Sequence, residues 1–128
     1  MKNIPNIRTK AHPVGDMAPI VDKNTIPTPD RGLIYKYLKN RENPIRSIIA
    51  SFECGLGCRY CYAPKYRDIY GLGKGFGQVT TRLPELVCAE AEEVVANWRT
   101  ELFYFQDDVF PVWKKEWVDA FCKHWNGI

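Results

Sequence analysis

Ile45-Arg-Ser-Ile-Ile-Ala-Ser-Phe52 runs directly into Glu53-Cys54-Gly-Leu-Gly-Cys58-Arg-Tyr-Cys61, and these two adjoining segments govern the architecture expected of the chain. The first is a β-branched, apolar run suited to a buried strand. The second is glycine- and cysteine-rich, so the strand should end in a loop. Downstream, a long loop is expected to about Arg82. Pro84 to Trp98 then reads as a helix, with Val87, Ala91, Val94, Val95 and Trp98 on one face and Glu90, Glu92 and Glu93 elsewhere. Pro84 suits a first helical position.

Leu102-Phe-Tyr-Phe105 is a second continuous apolar run, as expected of a parallel strand covered on both sides. Trp113, Trp117, Phe121 and Trp125 recur every four residues and predict a second helix, which Asn126-Gly127 would stop. Strand, loop, helix, strand and helix in that order imply an α/β fold with a right-handed βαβ unit and a parallel sheet. Two strands leave both sheet edges open. The expectation is therefore an incomplete fold, either paired with something else or the opening part of a longer one.

Residues 1–44 differ in character from residues 45–128. Pro5, Pro13, Pro19, Pro27, Pro29 and Pro44 interrupt them and no apolar period is sustained, which predicts an extended linker. A short helix from Arg31 to Lys39, capped by Asp30, is the one exception. At 128 residues and 45% hydrophobic, the chain suffices for one domain. A net charge of +3 is too mild to signal nucleic-acid binding. No window approaches the roughly 20 apolar residues of a membrane span, and the N-terminus has no signal-peptide core. A cytoplasmic location is expected. Five cysteines there read as metal ligands or catalytic thiols rather than disulfides.

The triplet Cys54-x3-Cys58-x2-Cys61 admits three readings. The spacing fits one helix face, which would make the thiols structural, but Gly55 and Gly57 each cost about 1 kcal/mol in a helix interior. A zinc site would need a fourth ligand from Cys88, Cys122 or His124, and structural zinc sites favour paired short spacings. Cys88 and Cys122 fall on or near buried helix faces and read as small core residues. The third reading is an iron–sulfur cluster held by three thiolates with one iron open. Arg59, Lys65 and Arg67 lie nearby in sequence to balance its negative charge.

Cys54-x3-Cys58-x-Tyr60-Cys61 on a loop after the first strand resembles the signature of the radical S-adenosylmethionine (radical SAM) family. Ile26-Pro-Thr-Pro-Asp-Arg31 is similar to the linker of its cobalamin-associated subgroup. Val79-Thr-Thr-Arg-Leu-Pro-Glu85 with Glu90 is similar to that subgroup's first helix entry, and Phe103-Tyr-Phe-Gln-Asp-Asp-Val-Phe110 to its second-strand motif. The resemblance spans about residues 20–126. It implies a partial (β/α) barrel of the radical SAM type, here two βα units after the Pro-rich segment.

On that resemblance, Cys54, Cys58 and Cys61 would bind a 4Fe–4S cluster whose open iron chelates S-adenosylmethionine. Its reductive cleavage gives a 5′-deoxyadenosyl radical that abstracts hydrogen from substrate. Tyr60 would lie against the adenine. A small-molecule substrate and an electron donor such as flavodoxin or ferredoxin are implied as partners. The family barrel has several more strands, so the chain is expected to be a segment of a larger enzyme. Leu83 also stands where the subgroup often carries a small polar cap.

Asp107 and Asp108 end the second strand, where ligands of parallel βα folds gather. They replace part of the Gly-Gly-Glu motif common in the family and are candidates to contact the amino group or ribose of S-adenosylmethionine; the alternative is a helix cap or solvated turn. Gly71-Leu-Gly-Lys-Gly-Phe-Gly77 fits no phosphate-loop pattern and reads as a mobile loop. Tyr60, Tyr62, Tyr66 and Tyr70 interleave with Arg59, Lys65 and Arg67. With the cysteines they support the competing reading, a small zinc or single-stranded nucleic-acid-binding module, although nucleic acid is the weaker expectation. His12-Pro-Val-Gly15 matches half of a cobalamin-ligand motif, but Lys10 stands where an Asp is required, so cobalamin is not expected on this chain.

Overall fold

Arg46, which stands in the first apolar run, is almost fully buried and joins three segments of the fold. Its guanidinium donates to the carbonyls of Asn40 (3.0 Å), Arg41 (3.1 Å) and Arg99 (2.8 Å) and lies 4.4 Å over the Tyr35 ring. This computed structural model describes residues 5, 10, 18–19, 21–73, 75–76 and 79–128. His12-Pro-Val-Gly15, most of the first 20 residues, and Lys74 and Gly77 of the glycine tract lie outside the described residues.

In chain order the elements are a 3-10 turn (Lys23–Thr25), α1 (Gly32–Tyr35), α2 (Leu38–Glu42), β1 (Ile45–Ile48), β2 (Ser51–Phe52), α3 (Ala63–Tyr70), β3 (Thr80–Thr81), α4 (Pro84–Asn97), β4 (Leu102–Phe105) and α5 (Lys115–Trp125). The chain is thus mixed α/β with a small parallel sheet: β1 pairs with β4 in the register Ile45 with Leu102 to Ile48 with Phe105. A second, two-residue ladder pairs β2 antiparallel with β3.

The core lies between this sheet and helices α4 and α5. Val87, Ala91 and Val94 of α4 are buried, and Ile48 and Ala50 cluster with Val87 and Ala91 from the sheet side. Full burial of one such Val or Ile contributes about 1.5–3 kcal/mol relative to exposure. The aromatic stripe of α5 is core, as expected. Trp117 and Phe121 stack at 5.1 Å, Phe121 and Trp125 at 5.0 Å, and Phe105 and Phe110 meet the same stack edge-on. Trp113 precedes the helix and contacts Phe76 instead. Gly127, at φ 110°, ends the helix region.

Several expectations need correction. The Ile45–Phe52 run is not one strand. Gln106 N–H closes the ladder on the Ile48 carbonyl, and the Asp107 carboxylate accepts the N–H groups of Ala50 and Ser51, so the chain turns into β2. The stretch from Cys61 to Arg82 contains α3, which Pro64 opens and Gly71 closes in the left-handed conformation at φ 64°. The helix expected over Arg31–Lys39 is two short ones, broken by extended backbone at Tyr37. Asp30 still accepts from Gly32 N–H at 3.0 Å.

Burial also departs from expectation. Glu90 is buried, Val95 is exposed, and Cys122 is exposed while Cys88 is buried. β4 is covered on one face only: Phe103 and Phe105 pack inward, whereas Leu102 and Tyr104 are exposed. A run that is apolar throughout hides this alternation, because the pattern carries no polar residue to mark the open face.

Candidate functional site

The cysteine loop is held at its roots. Glu53, immediately before Cys54, adopts φ 69°, a conformation uncommon for residues other than glycine. Its carboxylate over-determines that backbone: Oε2 accepts from Thr80 N (3.2 Å) and Thr80 Oγ1 (2.8 Å), and Oε1 is 3.8 Å from Lys23 Nζ. Lys114 Nζ in turn donates to Val79 O (3.2 Å) and Thr81 Oγ1 (3.3 Å), which anchors β3 beneath the root. At the far root, Tyr62 leads into α3.

Between the roots, Cys54 and Cys58 are half-buried and Cys61 is exposed. Cys54 Sγ accepts from Leu56 N at 3.4 Å, and Cys61 N donates to the Cys58 carbonyl at 3.2 Å. Gly55 is a close-approach position, since a Cβ built there would stand 2.6 Å from the Phe76 ring and 2.7 Å from its Cα. Gly57 faces open space. All five cysteines are free.

A cleft of about 350 Å³ opens where β1 and β4 end. Ile49, Ser51, Phe52 and Gln106 form its floor, with Glu53, Tyr62 and Tyr66 from the loop roots, Lys23 from the N-terminal segment, and Asp108. Both roots of the cysteine loop therefore line it. Lys23 Nζ lies 4.9 Å over the Phe52 ring. Partial desolvation, and then Tyr70, whose ring lies 4.6 Å away, push the Tyr66 phenol above its ordinary value. A second cavity of about 200 Å³ adjoins it beneath Ile26, Pro27 and Pro29 and shares Ile49, Phe52 and Gln106.

The two aspartates part company here. Asp107 is committed to the scaffold. Beyond the two backbone N–H groups, its Oδ1 accepts from the Ser51 hydroxyl at 2.6 Å, whose alternative acceptor is Val109 O at 3.0 Å. Asp108 lines the cleft instead. Tyr60 points away, 95% exposed, whereas Tyr62 reaches the cleft wall. Lys23, Glu53 and Tyr66 were not singled out as cleft residues from sequence. Only the positive φ at Glu53 marks its position, and nothing in the primary pattern signals that.

Among the described residues, no group of three or more His, Cys, Asp or Glu side chains is close enough to hold a metal ion. The fit of an anionic cluster to the loop rests instead on donor chemistry and on one buried cation. Three thiols occur between two anchored roots. Arg67 of α3, 4% exposed, donates from Nη2 to the Leu56 carbonyl (2.8 Å) inside the loop, and its Nε and Nη1 are buried without a partner among the described residues. Metal binding that orders its own ligand loop is common, because the binding free energy is spent on local folding. His124 and Cys122 lie on exposed positions of α5, with His124 Nε2 3.4 Å from Glu85 Oε1. No family model matches the chain, and no curated protein or solved structure matches it.

Proposed function

We propose that this chain is the cofactor-binding segment of a radical SAM enzyme, with a 4Fe–4S cluster on Cys54, Cys58 and Cys61 and S-adenosylmethionine in the adjoining cleft. One observation carries the reading: a three-thiol loop whose two roots line a cleft at the C-terminal ends of parallel strands. Three thiolates leave one metal position for a ligand. When bound, the cluster supplies the electron that splits the sulfonium of S-adenosylmethionine into methionine and a 5′-deoxyadenosyl radical.

The protein's part is binding and exclusion of water. Asp108 offers a carboxylate to an ammonium or ribose hydroxyl, and Gln106 offers an amide from the strand end. Tyr62, Tyr66 and Phe52 provide aromatic walls for adenine, a role better suited to Tyr62 than to the outward Tyr60. Lys23 and Glu53 close the near end as an ion pair. The two βα units would be the start of a partial barrel. Reduced thiols suit a cytosolic setting, and among the described residues no helix is long and apolar enough to cross a membrane.

Anaerobic reconstitution with iron and sulfide tests the reading. It should yield a brown protein whose reduced-state EPR signal changes when S-adenosylmethionine is added, and Cys54→Ala, Cys58→Ala or Cys61→Ala should each abolish the colour. A colourless chain that retains stoichiometric zinc would overturn it. The competing reading is a zinc or single-stranded nucleic-acid module, favoured by the exposure of Tyr60 and Tyr62 beside Arg59 and Lys65. It requires salt-dependent binding that Tyr60→Ala and Tyr62→Ala together remove.

A further inference from the structure

Buried guanidinium groups normally find partners for all their donors, because an unpaired charge in a low-dielectric interior is costly. The buried arginines of this chain can be ranked by that measure. Arg31 and Arg82 share the Glu90 carboxylate. Arg46 satisfies both terminal nitrogens on three carbonyls. Arg31 and Arg46 each leave only Nε unpartnered. Arg67 is different: it is 4% exposed, one terminal nitrogen donates to the Leu56 carbonyl, and both Nε and Nη1 are buried with no acceptor among the described residues.

Its location makes that deficit informative. Leu56 sits between Cys54 and Cys58, so the one hydrogen bond the Arg67 guanidinium makes among the described residues is to the backbone of the cysteine loop itself. On α3, Ala63 and Arg67 are the buried residues, one helical turn apart, so this face is turned into the protein rather than to solvent. A permanent positive charge with two free donors is thereby held against a loop that carries three thiols. Arg59 and Lys65, also nearby in sequence, are exposed and solvated.

We propose that Arg67 is the positioning residue and fixed counter-charge of the cysteine loop. It holds the loop through Leu56 and offers Nε and Nη1 to the anionic group the thiolates bind, which raises that group's reduction potential. This inference rests on the cluster reading above. A three-thiolate cluster gains one negative charge on reduction, and a buried cation stabilises the reduced form more than the oxidised one. Lysine would keep the charge but lose the fork of donors.

The test is an EPR-monitored titration of the reconstituted full chain with dithionite as the one-electron donor, together with iron and sulfide analysis. Arg67→Gln is expected to lower the reduction equilibrium constant about tenfold, about 59 mV for one electron, and to reduce iron retained after gel filtration. Arg67→Lys should lie between it and the wild type. Arg59→Gln and Lys65→Gln should match the wild type, since exposed charges are screened. If circular dichroism shows that Arg67→Gln does not fold, the wild type against Arg67→Lys supplies the comparison. A brown wild type with unchanged potential and iron content in the Arg67 variants overturns this inference and leaves the cluster reading intact. A wild type that takes up no iron overturns both.

Discussion

Arg31 and Glu90, 59 residues apart, meet in an ion pair: Arg31 Nη2 donates to Glu90 Oε1 at 2.5 Å, and Arg82 Nη1 approaches the other oxygen at 2.6 Å. One buried carboxylate therefore ties the Pro-rich segment to α4 and to the end of β3. Arg82 Nη1 also donates to the Ile49 carbonyl at 2.9 Å, which extends the tie to the cleft floor. Burial works to lower the Arg31 pKa, but the hydrogen bonds Arg31 donates to Glu90 and Tyr35, with the attraction of those groups, outweigh it and leave it raised, so the cation persists at any working pH.

Glu90→Gln should destabilise the fold by about 3–5 kcal/mol, since removing one partner of a buried pair strands the other charge. Two arginines are stranded here, 15% and 11% exposed at their side chains. Urea unfolding followed by tryptophan fluorescence measures the loss. A change below about 1 kcal/mol would show that the Pro-rich segment is not held by this carboxylate.

Asp107 and Asp108 should separate by phenotype. Asp107→Ala leaves the Ala50 and Ser51 N–H groups without their acceptor, while the Ser51 hydroxyl keeps the Val109 carbonyl, and should cost about 1–3 kcal/mol. Asp108→Ala is exposed and should stay within about 0.5 kcal/mol of the wild type. It should weaken retention of S-adenosylmethionine instead, read by equilibrium dialysis on the reconstituted protein. The reverse assignment would move the ligand contact to Asp107.

Gly55 and Gly57 are equivalent in the linear sequence and unequal in space. Gly55→Ala drives a methyl into Phe76, backbone included, and should cost about 1–3 kcal/mol. Gly57→Ala meets nothing and should be nearly neutral. Paired thermal melts decide it; two neutral variants would mean that Phe76 does not lie on the loop.

Cys88 should be the last thiol to alkylate. Burial first, and then the charges of Glu92 and Glu85, raise its pKa above the ordinary 9.0. The sign follows from proton binding. The folded state holds this proton more tightly than the unfolded chain, so its contribution to stability is complete below the unfolded pKa and is lost as pH climbs through the folded one. Stability should therefore fall above about pH 9 with a slope that Cys88→Ala removes. At neutral pH, iodoacetamide mass mapping should find Cys61 and Cys122 modified well before Cys88.

Much of this fold is legible in local pattern. The β-branched run at Ile45, the four-residue aromatic repeat from Trp117 to Trp125, and Pro84 at a helix start each express a preference of backbone or side chain that neighbours a few residues away can impose. The cysteine triplet is equally local, because thiol chemistry and spacing need no other segment. Even α3 carries its signals in Pro64 and Gly71, although the tyrosines and glycines around them obscure the period.

What lay beyond local pattern is whatever depends on partners far along the chain. Glu90 looks like a solvent-facing helix residue until Arg31 and Arg82 arrive. Leu83 lacks a side-chain cap, yet Asn24 Oδ1 accepts its N–H at 2.8 Å from the 3-10 turn. Asp107 and Asp108 are chemically identical neighbours, and only the turn between β1 and β2 assigns one to the scaffold and the other to the cleft. Composition and period report how a residue treats water and its own backbone. They do not report which distant donor will reach a buried carboxylate, because that contact exists only once the β1–β4 sheet and α4 have brought the segments together.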